Sequence, residues 1–272
     1  MNMALIAPEL CMILLSSLIL LLDFTCSKIS KKQLAIFSIF GMALIILQLI
    51  GMSVSGVNDT AFNTMFVLDP LAIFFKIFIL VSTLLVFLAS LEYVDKLSHF
   101  QGEYYYLLLF SALGMMFMVS ANDFLSLFIT LEFSTFGFYI LVAYLRDDVK
   151  SNEAGIKFFI LGVLTASIIA YGISLIYGDT GTILFSEIAI IEHKMSIGLI
   201  LGLLFVFIGI GFKIGAFPFH AWIPDVYEGA PLPVTAYLSV VPKAATLCLF
   251  LRIAFSMLSD LKQDWVWLIA TV

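Results

Sequence analysis

Continuous apolar runs of about twenty residues, separated by short polar segments, recur along the whole chain. A helix needs about twenty apolar residues to cross a bilayer, whereas the strands of a membrane barrel alternate polar and apolar positions. The pattern therefore predicts a bundle of about nine membrane-spanning helices and does not favour a barrel. The predicted spans lie near residues 4–22, 33–53, 71–91, 104–120, 124–145, 154–177, 197–221, 232–257 and 263 onward.

The connection between the sixth and seventh spans, residues 178–196, is longer and differs in pattern. Its apolar positions Ile183, Leu184, Ile188 and Ile191 alternate with acidic residues. We expect a short amphipathic helix that lies at the membrane interface.

Composition agrees with this class of protein. The chain has 272 residues, of which 62% are hydrophobic and 12% charged. A soluble domain with so few charged residues could not cover its surface, so the fold class is all-α, a polytopic transmembrane helical bundle in a lipid bilayer. The net charge is −6 and the basic residues form no stripe, which excludes a nucleic-acid partner.

Basic residues predict the orientation of the bundle. Positive charge is enriched in cytoplasmic connections. The connections after spans one, three and five carry most of it, at Lys28, Lys31, Lys32, Lys96, Arg146 and Lys150. The connections after spans two, four and six carry only Lys194. We therefore expect the N-terminus on the outer side, although the turn after span seven, with Asp225 and Glu228, adds no positive charge.

The last segment, DWVWLIATV, is too short to cross a bilayer. This predicts that the sequence is the N-terminal part of a longer polypeptide.

Spans seven and eight each carry a lysine near the middle, Lys213 and Lys243. His220 follows Lys213 by seven residues, about two helical turns, on a similar face. Glycine and proline should break or kink both helices, at Gly209, Gly211, Gly215 and Pro218 in the first and at Pro231, Pro233 and Pro242 in the second. Ionisable groups beside broken helices at membrane depth indicate an ion path. The alternative is a pair of lysines that extend to the membrane surface.

Glu132 lies in the middle of the fifth span. A carboxylate at that depth must pair, hydrate or hold a proton. Lys213 and Lys243 are cations at comparable depth, and opening and closing of such a pair can move a proton, because burial favours the neutral form of an unpaired lysine. The alternative is a static ion pair.

Two further positions have open interpretations. Lys157 follows Glu153 by four residues, so an ordinary interfacial i,i+4 pair explains it as well as a transport role does. His220 titrates near neutral pH and could transfer protons, or it could stabilise the turn.

The remaining charged residues of the spans are predicted to be structural. Asp69, just before Pro70, is typical of a helix cap, and Lys76 of a side chain that extends to the surface or contacts another subunit. Glu9 and Asp23 are interpreted as terminal, structural charges.

No motif for bond-making chemistry or metal binding is present in the sequence. There is no glycine-rich phosphate loop and no nucleophile with a base. The cysteines Cys11, Cys26 and Cys248 are far apart and lack metal-ligand spacing. We interpret them as small apolar residues of the packing.

Two stretches carry a family resemblance. FKIGAFPFHAWIPDVYEGAPLPVTAYLSVVPKAA, and EYYYLLLFSALGMMFMVSANDFLSLFITLEF followed by LVAYLRDDVKSNEAGIKFFILG, closely resemble the subunit N family of bacterial proton-pumping NADH:quinone oxidoreductase, respiratory complex I, whose mitochondrial counterpart is subunit 2. The resemblance covers most of residues 66–255, and APEL at 7–10 also fits. The combination DVYEGAP, PVTA and PKAA is specific, since sister antiporter-like subunits differ after the tryptophan.

The resemblance implies fourteen helices with two inverted five-helix repeats, each containing a broken helix. Residues 1–103 would form helices 1–3, residues 104–257 the first repeat, and residues 258–272 the start of the second. Glu132 and Lys213 would form the charge pair on the proton entry side, and Lys243 the central relay lysine. Lys157 and His220 would be auxiliary members of the relay. The outward-exit lysine of the family belongs to a later helix.

The resemblance also implies function and setting. The chain would be a proton-translocating subunit of the bacterial inner membrane, with its N-terminus on the periplasmic side. Its partners would be other membrane subunits of complex I, including neighbouring antiporter-like subunits. NAD, flavin, iron–sulfur clusters and quinone are expected in partner subunits and no cofactor in this chain. The alternatives are a cation/proton antiporter, a hydrogenase-associated membrane subunit, or a non-conducting scaffold.

Overall fold

A computed structural model describes residues 3–25, 30–95, 101–191 and 196–257. A 3₁₀ turn at Met3–Ile6 precedes the first helix. Ten helices follow in the described ranges: α1 (Ala7–Thr25), α2 (Lys31–Val54), α3 (Pro70–Val94), α4 (Gln101–Met118), α5 (Phe124–Val142), α6 (Val149–Thr180), α7 (Phe185–Ile191), α8 (Ile197–Ile214), α9 (Ile223–Gly229) and α10 (Leu232–Ser256).

Seven of these helices are long and apolar enough to cross a membrane: α1, α2, α3, α5, α6, α8 and α10. This confirms the predicted multi-pass helical bundle. The predicted span 104–120 corresponds to α4, which has 18 residues but is not among the seven. It is largely buried, with Tyr104 and Tyr105 in the core, and it packs against α5 and α1. A helix in the middle of a bundle faces protein more than lipid, so its pattern need not be uniformly apolar.

Local signals set most helix ends. Asp69 precedes Pro70, and its carboxylate accepts a hydrogen bond from the Ala72 backbone N–H at 2.8 Å, which confirms the predicted cap. Asp123 caps α5 in the same way, through the N–H groups of Leu125 and Ser126. Asp23 pairs with Lys31 across the α1–α2 connection, in line with its predicted structural role.

A small antiparallel ribbon, absent from the sequence prediction, joins α2 to α3. It pairs β1 (Asp59–Ala61) with β2 (Phe66–Leu68). The backbone of β2 also bonds to the α4–α5 turn, because the Val67 N–H donates to the Ser120 carbonyl at 2.9 Å. The ribbon therefore ties the start of α3 to the end of α4.

The broken helices differ from the prediction. The predicted span 197–221 is helical only to Ile214, and the chain forms turns until α9, which lies in a segment predicted as a turn. Pro231 and Pro233 lie at the start of α10 and do not interrupt it, and the helix continues through Pro242. The predicted break is thus found in α8, whereas α10 is continuous, and the alternative prediction of a kink in α10 stays a prediction.

The connection at 178–196 contains the predicted short helix. α6 extends to Thr180, and only Phe185–Ile191 forms α7. Ile188 is fully buried and Ile190 is exposed, which fits an amphipathic helix.

Several predictions lie outside the described residues. These are Cys26, the basic residues Lys28, Lys96 and Lys194, the span from 263 onward and the segment 258–272. The orientation and the division into repeats stay predictions.

Candidate functional site

A buried ion pair joins the fifth and eighth helices. Glu132 is the ninth of 19 residues in α5, and Lys213 lies in the last turn of α8. The Lys213 Nζ is 3.2 Å from the Glu132 Oε1, and the two side chains are 9% and 12% exposed. Of the two lysines that the sequence offered as partners of Glu132, the structure pairs it with Lys213, the one that the family resemblance implied.

The contact between the two charges is loose. The Lys213 ammonium donates its hydrogen bond to the Thr135 Oγ1, at 3.2 Å. The Glu132 Oε1 is buried and has no hydrogen-bond partner among the described residues. Lys213 also lies where the carbonyl end of α8 favours a positive charge. The Thr135 hydroxyl and the end of α8 thus stabilise the ammonium independently of Glu132. The pair can therefore separate while the ammonium keeps these partners.

A small cavity adjoins Lys213. Its volume is about 30 Å³, and its polar lining comes from Ser134 and Thr135 of α5 and Thr246 of α10. A water molecule needs about 10–15 Å³ of such space and two to four polar partners, so the cavity is large enough for one or two waters. Pro242 lines the same cavity, which places Lys213 against the middle of α10.

Gly215 ends α8 just after Lys213. Its φ of +78° lies in the left-handed region, and its N–H and that of Ala216 both bond to the Gly211 carbonyl, at 2.9 and 2.8 Å. This is the usual way to end a helix with glycine. A side chain at this position would meet the end of the Ile223 side chain of α9, so the left-handed backbone and this contact both favour glycine.

Trp222 holds the broken end of α8 in place. Its indole Nε1 donates to the Phe212 carbonyl at 3.0 Å, in the last turn of the helix, where this carbonyl also accepts from the Gly215 N–H at 3.0 Å. Its ring stacks on Phe158 of α6, with centroids 5.1 Å apart, and is tilted against Phe212. The sequence analysis assigned no role to this tryptophan, although an indole beside a helix break is a signal for such capping.

Lys243 of α10 lies beside the broken end of α8. A Cβ added at Gly215 would be 3.9 Å from the Lys243 Nζ, and this ammonium lies 5.5 Å from the centre of the Tyr227 ring. Lys243 is half-buried and forms no ion pair with any described residue. The crossing of α8 and α10 therefore brings both lysines to one region, one paired and one without a counter-ion in the described chain.

The backbone of α10 near Lys243 is also unusual. Pro242 has no N–H to offer to the Leu238 carbonyl one turn earlier. The Tyr227 hydroxyl donates a long hydrogen bond to that oxygen, at 3.5 Å. Tyr227 of the DVYEGAP motif thus contacts both the Leu238 carbonyl and the Lys243 ammonium.

His220 and Lys157 lie away from the two lysines. His220 is exposed in the turn after α8, and its ring is 5.8 Å from that of Phe217. Because α8 ends at Ile214, His220 does not continue the helical face of Lys213, contrary to the sequence prediction. The His220 carbonyl accepts from the Ile223 N–H at 3.0 Å, which fits a turn role.

Lys157 forms the predicted i,i+4 pair with Glu153 at 2.6 Å and a second pair with Asp225 of α9 at 2.7 Å. Lys150 pairs with Glu228 beside it. These charges line an open cleft of about 190 Å³ between α6 and α9. The four-residue pair is confirmed, and the lysine lies in a surface network outside the Lys213 cavity.

A second buried charge cluster was missed. Lys76 and Glu9 are both fully buried, 2.6 Å apart, which contradicts the interpretation of Lys76 as a surface or subunit contact and of Glu9 as terminal. Asp69 forms a two-bond pair with Arg252, each bond 3.0 Å long. The signal was available, since Glu9 and Lys76 lie in apolar spans just as Glu132 and Lys213 do.

Among the described residues, no group of three or more His, Cys, Asp or Glu side chains is arranged to bind a metal ion. Cys248 is buried, as expected for a packing residue, whereas Cys11 is exposed on α1.

The role of Trp222 can be tested by Trp222→Phe. The variant keeps an aromatic ring against Phe158 but loses the bond to the Phe212 carbonyl, so we expect a loss of about 1 kcal/mol in stability. Thermal melting of the purified protein checks this, with Trp222→Ala as the variant that loses both interactions. Equal losses in the two variants would contradict a separate role for the indole N–H.

Comparison with known proteins places these residues in a family. Residues 121–272 match the family described as NADH:quinone oxidoreductase/Mrp antiporter, TM. This match covers more than half of the chain and includes Glu132, Lys213 and Lys243. The chain belongs to this family.

Relatives in the same family carry a common name. The chain is 40% identical over 269 residues to "NADH-quinone oxidoreductase subunit N" of Paramagnetospirillum magneticum, a match that covers 96% of this chain and 54% of the relative. It is 40% identical to the protein of the same name from Desulforamulus reducens, over 100% of this chain and 57% of the relative. The chain thus spans about half the length of the curated relatives it matches.

Two solved structures resemble the bundle. A chain of respiratory complex I from Thermus thermophilus with bound aureothin superposes with a TM-score of 0.78 at 27% identity, over 91% of this chain and 53% of that one. A chain of the membrane-bound sulfane sulfur reductase, an archaeal respiratory membrane complex, has a TM-score of 0.79 at 24% identity, over 96% of this chain and 55% of that one. The second likeness is one of fold.

Proposed function

We propose that this chain is a membrane-arm subunit of an NADH:quinone oxidoreductase and carries part of a proton path. The observation that carries the proposal is the Glu132–Lys213 pair, buried between α5 and α8 beside a small cavity that three hydroxyl side chains help to line. The match to proteins named subunit N supports the choice of complex.

The pair works by ordinary electrostatics. When Lys213 lies against Glu132, the attraction of opposite charges keeps the ammonium protonated. When the pair opens, burial favours the neutral amine, and the proton can leave through water in the cavity toward the α8–α10 crossing. Lys243, half-buried there without a counter-ion in the described chain, is the next acceptor.

Energetically this is a modest task. Movement of one proton against 100 mV requires about 2.3 kcal/mol. Opening one buried ion pair changes the free energy of its charges by a similar amount or more, so opening and closing of the pair can be coupled to one transfer for which electron transfer in the partner subunits supplies the energy.

The proposal includes the setting of the chain. It lies in the bacterial inner membrane with its N-terminus on the periplasmic side, beside other membrane subunits of the complex, including antiporter-like ones. NAD, flavin, iron–sulfur clusters and quinone are bound by those partner subunits. Residues 104–257 form the first five-helix repeat, and Lys157 and His220 serve the cytoplasmic approach to it.

The test is Lys213→Ala in membrane vesicles that contain the complete complex. We expect the initial rate of NADH-driven proton translocation to fall at least fivefold, with coupled electron transfer falling with it, because Glu132 alone cannot pass a proton to α10. The matched control is Lys150→Ala, which removes an exposed lysine paired with Glu228 and should leave both rates unchanged.

Two results would contradict the proposal. Unchanged proton translocation in Lys213→Ala, at a normal amount of complex, would indicate a scaffold that conducts nothing. Translocation that requires sodium or potassium ions would indicate a cation/proton antiporter.

A further inference from the structure

Four charged side chains cluster where α1 and α3 begin and α10 ends. Glu9 lies in the first turn of α1, Asp69 and Lys76 at the start of α3, and Arg252 in the last turns of α10. Their contacts show that these ends meet: Lys76 with Glu9 at 2.6 Å, and Arg252 with Asp69 at 3.0 Å. Among the described residues, Glu9, Asp69 and Arg252 are the charged side chains that act on Lys76.

The position of the cluster follows from the order of the helices. With α4 counted as a span, α10 is the eighth crossing and ends on the side where α1 and α3 begin. Lys213 lies at the end of the seventh crossing, α8, and so toward the opposite side. Arg252 and Lys243 share α10, nine residues or about 13 Å apart along its axis. One helix therefore connects the two charged regions.

The two pairs of the cluster differ in chemistry. Arginine does not lose its proton in proteins. The Asp69–Arg252 pair, with two parallel bonds and a third from Arg252 Nη2 to the Val119 carbonyl at 3.0 Å, is therefore fixed. Lysine and glutamate can exchange a proton, so the Glu9–Lys76 pair has both an ionised and a neutral form.

The surroundings of the Glu9–Lys76 pair contain one feature that favours the neutral form and one that favours the ionised form. Both side chains are 0% exposed, and their charged atoms have no other side-chain partner in hydrogen-bond geometry among the described residues. Burial with so few partners favours the neutral form. The Phe66 ring, 4.8 Å from the Lys76 Nζ, favours the ammonium.

We propose that Glu9 and Lys76 form a second proton-holding pair, on the opposite side of the membrane from Lys213. Its proton passes between the Lys76 amine and the Glu9 carboxylate, so that the ionised pair becomes a neutral amine and a carboxylic acid with no change in total charge. Asp69 and Arg252 keep the surrounding charge balanced. This inference rests on the proposed function, because it assigns the pair to the same proton path.

The test separates a proton-holding pair from a structural lock. Removal of one partner leaves a buried charge alone, so Glu9→Gln or Lys76→Met should lower the amount of assembled complex. The double variant Glu9→Gln/Lys76→Met removes both charges of this pair, leaves the Asp69–Arg252 pair intact and should assemble normally. We expect it to translocate protons at least fivefold more slowly than the parent complex.

A spectroscopic readout covers the case in which the double variant assembles poorly. During turnover of the parent complex, the infrared difference spectrum should contain a carboxylic-acid C=O band from Glu9. Glu9→Asp keeps an acid at this place and should shift that band. Absence of any shift would overturn the proposal, as would a well-assembled double variant that translocates at the parent rate.

Lys213→Ala, measured in parallel, distinguishes the two proposals. Impaired translocation in Lys213→Ala with a normal rate in the double variant would overturn only the second pair. Normal rates in both would overturn the proton path itself.

Discussion

Gly215→Val should destabilise the protein by about 3 kcal/mol and abolish most proton translocation. A residue with a side chain costs about 1–2 kcal/mol in the left-handed region, where Gly215 lies at φ +78°. The added atoms would also meet Ile223, and such overpacking costs about 1–3 kcal/mol. The position matters because Gly215 separates Lys213 from α9 and lies beside the Lys243 ammonium.

Two variants control for backbone strain alone. Gly56 has a φ of +65°, but nothing lies within 4 Å of a Cβ added there, so Gly56→Val carries strain without a clash. Gly215→Asn places a residue that tolerates the left-handed region at the same site. Thermal melting and NADH-driven translocation should rank Gly215→Val as the most damaged of the three. Equal damage in Gly56→Val would show that the contact with Ile223 is unimportant.

The sequence was sufficient to predict the bundle and a buried lysine partner for Glu132, and the family resemblance selected Lys213 over Lys243. The bundle and the need for a partner both rest on the cost of polar groups in lipid, which is large enough to override local preferences. A carboxylate and a lysine, each in the middle of an apolar run, have few alternatives to meeting one another. The contact at 3.2 Å agrees with that argument.

The same argument should have found the Glu9–Lys76 pair. Glu9 lies near the start of the chain and Lys76 near the start of a helix, and both positions suggested access to the membrane surface. The ribbon of β1 and β2, which no apolar periodicity predicts, lies over the start of α3, and Phe66 from it contacts the lysine. The connection between α2 and α3 thus helps to bury Lys76, although the position of this lysine in the sequence suggested that it would be exposed.

Of the two helices predicted to break, only α8 does so, and it breaks at Gly215, whose backbone is left-handed. Gly215 ends α8 because the following chain turns toward α9 and Trp222 donates a hydrogen bond to the Phe212 carbonyl in the last turn. Pro242 removes one hydrogen bond, yet α10 continues because Tyr227 lies beside the freed carbonyl and the helix is packed against α3 and α8. Whether a proline breaks a buried helix depends on such partners, and these are not visible in the local sequence.

Arg252→Leu should lower stability by about 3 kcal/mol, the lower end of the range for breaking a buried ion pair. Arg252 is 6% exposed and Asp69 23% exposed, so water compensates the remaining carboxylate only in part. The Val119 carbonyl also loses its bond to Arg252. Because the arginine ties the end of α10 to the start of α3, the loss should appear as a lower melting temperature of the purified protein.

The matched control is Lys32→Leu, which removes an exposed pair with Asp95 and should lower the melting temperature far less than Arg252→Leu does. The dependence on pH provides a second check. Burial alone would raise the pKa of Asp69, but the hydrogen bonds and charge of Arg252 outweigh it and hold that pKa below its ordinary value of 3.8. A lowered pKa in the folded state means that the pair contributes its full stability above pH 3.8 and loses it as the pH falls through the folded value. The parent protein and Arg252→Leu should therefore converge in stability under acid conditions, and a difference that persists there would show that the arginine acts through packing and not through its charge.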